Sequence, residues 1–187
     1  MLKHVFRGEK PMPSNSRFLK PKFNNIPTEL KELGWAVWKA EPRPNKPNKF
    51  NKIPRNPVTK KIARTNAPDT FVDFETAKFA FEANADYTGV GLLLESSAKI
   101  TGIDIDDFDI TLAAQPALNR LIKDIVKDGG YIEYSPSGTG FRIFLKGSLH
   151  TAGRKHDGIE MYDDKRFLTV TGHSISLADY EEATHAY

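Results

Sequence analysis

Apolar and polar positions alternate along Trp35-Ala36-Val37-Trp38-Lys39, and this aromatic-rich stretch predicts a strand. Before it, Thr28 is placed to cap a short helix over 28–33 that Gly34 stops. Asp73 heads a helix over 74–84, with Phe74, Ala77 and Phe81 on one stripe. Gly89 to Leu94 is a short buried strand, and the strand holding Asp104 follows a Ser-Ser turn. Pro116 opens a second amphipathic helix to about Lys127. Leu118, Leu121, Ile122 and Ile125 form its apolar face and Gly129-Gly130 ends it. Tyr131 to Tyr134 and Phe141 to Leu145 predict strands flanking a turn at 135–140. Gly158 to Tyr162 and Arg166 to Thr171 read as a hairpin joined by Asp163-Asp164-Lys165, and a polar helix covers 177–185. Strands joined by tight turns among helices predict an α+β domain. Its sheet is mixed and largely antiparallel with flanking helices, not doubly wound and parallel. Residues 1–25, with their Pro, Ser, Asn and scattered cations, read as a flexible basic arm before a domain over 26–187.

Composition narrows the class. The 187 residues suffice for one well-cored domain. The absence of cysteine excludes disulfides and thiolate zinc sites and suits a reducing cytoplasm. No run of about 18 apolar residues exists, so no membrane span is expected. The basic N-terminus lacks the apolar core of a secretory signal. Net charge is only +3, but its distribution is uneven. Lys39, Arg43, Lys46, Lys49, Lys52, Arg55, Lys60, Lys61 and Arg64 follow one another, opposed only by Glu41. The acids gather at 104–109 and 157–164. A basic segment beside an acidic cluster suits a polyanion held near metal ions, although a solvated basic loop has the same composition.

Three groups of residues carry candidate chemistry. Asp104 and Asp106 stand two apart on a strand, so they share a face and repel unless a cation lies between them. Oxygen ligands of this kind suit Mg²⁺ or Mn²⁺; the plain alternative is a pair of solvated acids at a strand end. A calcium loop fits poorly, because its spaced pattern fails from Phe108 onward. The turn Ser137-Gly138-Thr139-Gly140, followed by Arg142, offers backbone N–H groups, a hydroxyl and a planar fork to phosphate oxygens. Glu160 is an acid inside an otherwise apolar strand, which is unfavourable unless it is exposed or paired. Two metal ions on these three carboxylates would align a 3′-hydroxyl with a triphosphate. Lys52, Arg142, Arg166 and His173 are the candidate triphosphate cations, while His173 also reads as a surface histidine after a turn. Lys39, Lys46, Lys49, Arg55, Lys60 and Lys61 are candidates for the DNA backbone. Two other readings use the same residues. One is a non-catalytic single-stranded DNA or origin-binding module, with Trp35, Trp38 and Phe50 as stacking surfaces. The other is a metal-dependent nuclease.

The stretches Gly102 to Asp107, Tyr134 to Phe144, Ile159 to Tyr162 and Arg166 to His173 together resemble the archaeo-eukaryotic primase superfamily. The likeness is to the primase-polymerase domains at the N-terminus of phage and plasmid replication proteins. Trp35 to Lys39 and Lys52 to Pro57 resemble the opening of those domains, so the resemblance spans about Ile26 to His173. It implies a metal-dependent polymerase core that makes or extends primers on single-stranded DNA from (d)NTPs. Asp104, Asp106 and Glu160 would hold Mg²⁺ or Mn²⁺. Ser137 and Arg142 would touch the incoming phosphates. Arg142 stands where the family usually has a histidine; it still serves a phosphate but cannot shuttle a proton near pH 7. The family's zinc-bearing insertions are missing, so no zinc is expected. Related phage proteins carry a helicase after this domain, yet no phosphate-loop motif occurs here, which makes a helicase an expected partner. The expected setting is the cytoplasm of a bacterium or a phage-infected host, with no membrane role.

Overall fold

A computed structural model of the chain describes residues 17–46, 49–149 and 151–185. In chain order it forms α1 (Thr28–Lys31), β1 (Gly34–Pro42), β2 (Phe50–Arg55), α2 (Phe74–Ala83), β3 (Gly89–Leu94) and β4 (Ile100–Ile105). Then come α3 (Phe108–Ala114), α4 (Pro116–Lys127), β5 (Tyr131–Tyr134), β6 (Phe141–Lys146), β7 (Arg154–His156), β8 (Ile159–Tyr162), β9 (Arg166–Val170) and α5 (Leu177–His185). The strands make two sheets, ordered β2-β1-β3-β9 and β5-β6-β4-β8-β7. Every pairing within them is antiparallel, so the fold is α+β.

Alternation along the strands builds separate cores. In the first sheet Trp35, Val37, Val90, Leu92 and Leu168 face Leu30, Phe74 and Ala77 of the α1–α2 side. Ala36 and Leu93 face the other way, onto Ala63 and Phe71. In the second sheet Ile103, Ile105, Ile132, Phe141 and Ile143 meet Leu112, Ile122 and Tyr180 of α3, α4 and α5. Among the described residues no helix is long and apolar enough to cross a membrane.

The structure corrects several expectations. The strands β8 and β9 exist but do not form a hairpin: β8 pairs with β4 and β7, while β9 pairs with β3. The Asp163–Lys165 connection crosses between sheets, and the Asp163 carboxylate is committed to the Leu149 amide at 2.8 Å. The true hairpin is β7–β8, closed by Asp157-Gly158 with φ of +41° and +83°. Positive φ at both central residues is the twist a two-residue hairpin turn needs, and Asp-Gly is a strong signal for it. Thr28 begins α1 rather than capping it. Leu121 is 56% exposed; the buried stripe of α4 runs through Ile122 and Val126, with Leu118 and Ile125 packed against it. Helix α3 was not expected. Of the segment expected to be a flexible arm, 1–16 lie outside the described residues, but 17–25 are tied down. Leu19 N–H donates to Pro136 O and Lys22 N–H to Thr171 O, both at 2.8 Å.

Candidate active site

The second sheet carries one charged residue per strand in a single cross-strand row. Glu133 lies opposite Arg142, Arg142 opposite Asp104, Asp104 opposite Glu160, and Glu160 opposite Lys155. Directly opposed residues of an antiparallel pair project from the same face, so the five line up across β5, β6, β4, β8 and β7. The neighbouring row, Tyr131, Phe144, Gly102 and Tyr162, is apolar, and there the first sheet presses close. A Cβ on Gly102 would meet the Leu168 Cδ1 methyl at 2.3 Å, so a larger residue there would have to push that side chain aside. One row further along, the surfaces part into a cleft.

Charges alternate along the row except at one place. Asp104 and Glu160 are adjacent acids with no cation between them in register. Like charges directly opposed on a sheet destabilise it unless compensated. Asp106 adds a third carboxylate just past the end of β4. Its amide donates to Gly158 O at 2.8 Å and its carbonyl accepts from Thr111 Oγ1 at 2.7 Å, which fixes the bend. Protein cations pair with two of the three acids, Asp104 and Glu160. Arg142 is ion-paired with Asp104 Oδ1, yet neither that oxygen nor Arg142 Nη1 has an aligned hydrogen bond. Lys155 contacts Glu160 Oε1, while Arg166 and Tyr162 contact Oε2. Among the described residues no three acids or histidines already form a finished metal cage. The donor set nevertheless fits a hard divalent cation: all oxygens, two acids directly opposed in register, and a buried Asp104 oxygen without an aligned hydrogen bond.

The electrostatics reflect this crowding. Burial works to raise the Asp104 carboxyl, but Arg142, then Lys52 and Arg166, outweigh it and hold it below the usual range. Burial and the Asp104 charge push Asp106 up. Burial also opposes ionisation of Glu160, but Lys155, Tyr162 and Arg166 hold it below its ordinary value. Lys52 is pushed down to about 8 by burial and the Arg142 charge. Glu133 is fully buried, and burial pushes it up to about 7. It accepts from Tyr131 Oη, Thr171 N and Gly172 N at 2.7–2.9 Å. With the Arg142 Nε to Thr169 Oγ1 bond of 3.2 Å, these contacts fasten β9 of the first sheet to the second.

The cleft encloses about 830 Å³. On its acid side stand Asp104, Asp106, Asp107 and Glu160. Around them lie Arg43, Lys46, Lys49 and Lys52 from the β1–β2 hairpin, and Arg142, Lys155, Lys165 and Arg166 from the sheets and their connections. Among the described residues lining it, cations therefore outnumber acids by four. The 135–140 turn supplies the Ser137 and Thr139 hydroxyls, which are 3.1 Å apart. Gly138 sits at φ +77°, and a Cβ on Gly140 would lie 2.4 Å from Ile105 O, so the turn seats directly on the end of β4. Pro54 stiffens β2, the edge strand that carries Lys52.

The structure thus gathers Asp104, Asp106, Glu160, Ser137, Arg142, Lys52, Arg166, Lys46 and Lys49 around one space. Gly138 belongs to the same turn. Other candidates do not line that space. Lys39 pairs with Asp86, Arg55 with Glu41, and Lys60 reaches the Tyr87 hydroxyl at 3.4 Å. Lys61 is exposed on the outer turn. His173 places Nε2 2.9 Å from Lys20 O, on the docked N-terminal segment. Trp35 and Trp38 are fully buried, with their indole N–H groups donating to Leu30 O and Val90 O, so neither offers a stacking face. Sequence reasoning missed Lys155 and Lys165, and named Thr139 only as a member of its turn. The Asp157-Gly158 turn signal sets Lys155 opposite Glu160 and was sufficient to find it. In comparisons with known proteins, the chain matches no family profile and no curated protein sequence.

Proposed function

We propose that this chain is a metal-dependent nucleotidyl-transfer domain of the primase-polymerase kind, extending the 3′-hydroxyl of a primer on a DNA template. The observation that carries the reading is the break in the charged row, Asp104 beside Glu160 with Asp106 next to them, inside a cleft rich in cations. The resemblance of the surrounding motifs to the primase superfamily supports it. A tetra-anionic triphosphate complements the excess of four positive charges; a nuclease acting on one phosphodiester has less use for them. Asp104, Asp106 and Glu160 would hold Mg²⁺ or Mn²⁺, which, when bound, makes the 3′-oxygen more nucleophilic and neutralises the leaving group. Arg142, Lys52 and Arg166 hold and orient the phosphates, with the Ser137 and Thr139 hydroxyls beside them. The 3′-oxygen attacks the α-phosphorus, the bond from that phosphorus to the α–β bridging oxygen breaks, pyrophosphate leaves, and the hydroxyl proton passes to water. Arg43, Lys46 and Lys49 reach from the hairpin tip toward nucleic-acid phosphates. On this reading the partners are primed single-stranded DNA, (d)NTPs and a helicase, and the setting is the bacterial or phage-infected cytoplasm.

The test is a gel assay on primed single-stranded DNA with dNTPs and Mn²⁺ or Mg²⁺, beside Asp104→Asn and Glu160→Gln. The proposal expects extension by the wild type and none by the variants while DNA binding persists. Shortened template would point to a nuclease. DNA bound and left intact under every condition would point to a binding module.

A further inference from the structure

Both oxygens of Glu160 are already engaged, Oε1 by the Lys155 ammonium and Oε2 by Arg166 and Tyr162. An oxygen committed to an ammonium cannot at the same time coordinate a divalent cation through that lone pair. If Glu160 is a metal ligand, as the reading above holds, the cation competes with these three donors for a carboxylate that has about four lone-pair sites. Arg166 is anchored a second time, its guanidinium stacked 4.1 Å over the Tyr162 ring. The Tyr162 hydroxyl is neutral and leaves the charge of Glu160 uncompensated. Lys155 differs from both. Its side chain is 66% exposed, and it lies on a three-residue edge strand whose residues are all exposed. Ion pairs to such exposed lysines are weak.

We infer that Lys155 is a displaceable counterion: it neutralises Glu160 before a divalent cation arrives, competes with that cation for Oε1, and on displacement turns its ammonium to the phosphates in the same cleft. Lys155 lines that cleft, so the move needs a change of side-chain rotamer rather than of the fold. The order of events follows from charge. With the acids paired to protein cations, the described cleft lining still carries four more cations than acids toward a triphosphate. A metal–triphosphate complex then supplies both the cation that releases Lys155 and the anion that receives it. This rests on the three-acid reading of the site.

Titration of the full 187-residue chain with Mn²⁺, following the free-ion EPR signal without nucleotide, tests it on wild type, Lys155→Met and Lys155→Arg. Removing a competing exposed ion pair should tighten Mn²⁺ binding ~fivefold in Lys155→Met, while Lys155→Arg stays near wild type. Calorimetry with a non-hydrolysable dNTP and Mg²⁺ should show the opposite sign, a several-fold weaker complex for Lys155→Met. A residue that merely braced the fold would weaken both. Mn²⁺ affinity unchanged or reduced in Lys155→Met overturns the inference and leaves the three-acid site standing. Absence of Mn²⁺ binding in wild type and variants alike overturns both.

Discussion

On the helix-covered face of the second sheet, Ile103, Ile105, Ile132, Phe141 and Ile143 pack into a core; one residue along on the same strands stand Asp104, Glu133 and Arg142, with Glu160 beside them on β8. The backbone is common to both faces, and only the two-residue alternation separates them. A slip of one residue in register would carry every isoleucine to the cleft and every acid into the core. The apolar face therefore does more than contribute stability. It fixes the register that sets Asp104 beside Glu160, and so holds together two acids that repel. Within the charged face there is a second division. Glu133 and Arg142 are buried and tie the sheets together, whereas Asp106 and Lys155 face the open cleft.

The contrast can be broken residue by residue. Asp104→Asn should lower primer extension by roughly 10³-fold in a single-turnover assay, the scale of losing a key electrostatic group. Ile143→Ala, one residue away from the row on β6, should cost about 3 kcal/mol in urea unfolding yet leave the rate per folded molecule near wild type. Glu133→Gln keeps one acceptor where Thr171 and Gly172 need two, and should cost about 2 kcal/mol. Glu133 also sets a pH dependence. Its folded value of about 7 lies above the ordinary 4.5, so its contribution to stability is full below pH 4.5 and is lost as pH rises through about 7. The urea midpoint should decline over that window in the wild type and flatten in Glu133→Gln. The smallest change belongs to Phe79→Ser on the outer side of α2, where the ring is 73% exposed; melting and synthesis should both stay within about 0.5 kcal/mol of wild type.

Much of this was legible in the sequence, for reasons that differ by residue. Alternation around Asp104 and Glu160 exposed the acids, because a charge inside an apolar strand needs a cause. Proline and glycine marked the bounds of α4 and the 135–140 turn. Glu133 escaped because its partners, Thr171 and Gly172, lie 38 and 39 residues away and nothing local announces them. The β8–β9 connection misled for a related reason. A polar three-residue turn permits a hairpin, but burial against β3 and β4, far away in sequence, decided the pairing. Lys155 is legible through Asp157-Gly158, where the glycine belongs to the turn and not to the strand expected from Gly158 to Tyr162.

The central claim is that the broken row is where a divalent cation and a triphosphate meet. Anomalous diffraction from crystals grown with Mn²⁺ and a non-hydrolysable dNTP tests it most directly. The account predicts a peak roughly 2–2.5 Å from oxygens of Asp104 and Asp106, with Glu160 turned to it and the phosphates among Arg142, Lys52 and Arg166. A nucleotide seated in the cleft with no metal peak at the acids, or a peak elsewhere on the chain, would contradict it.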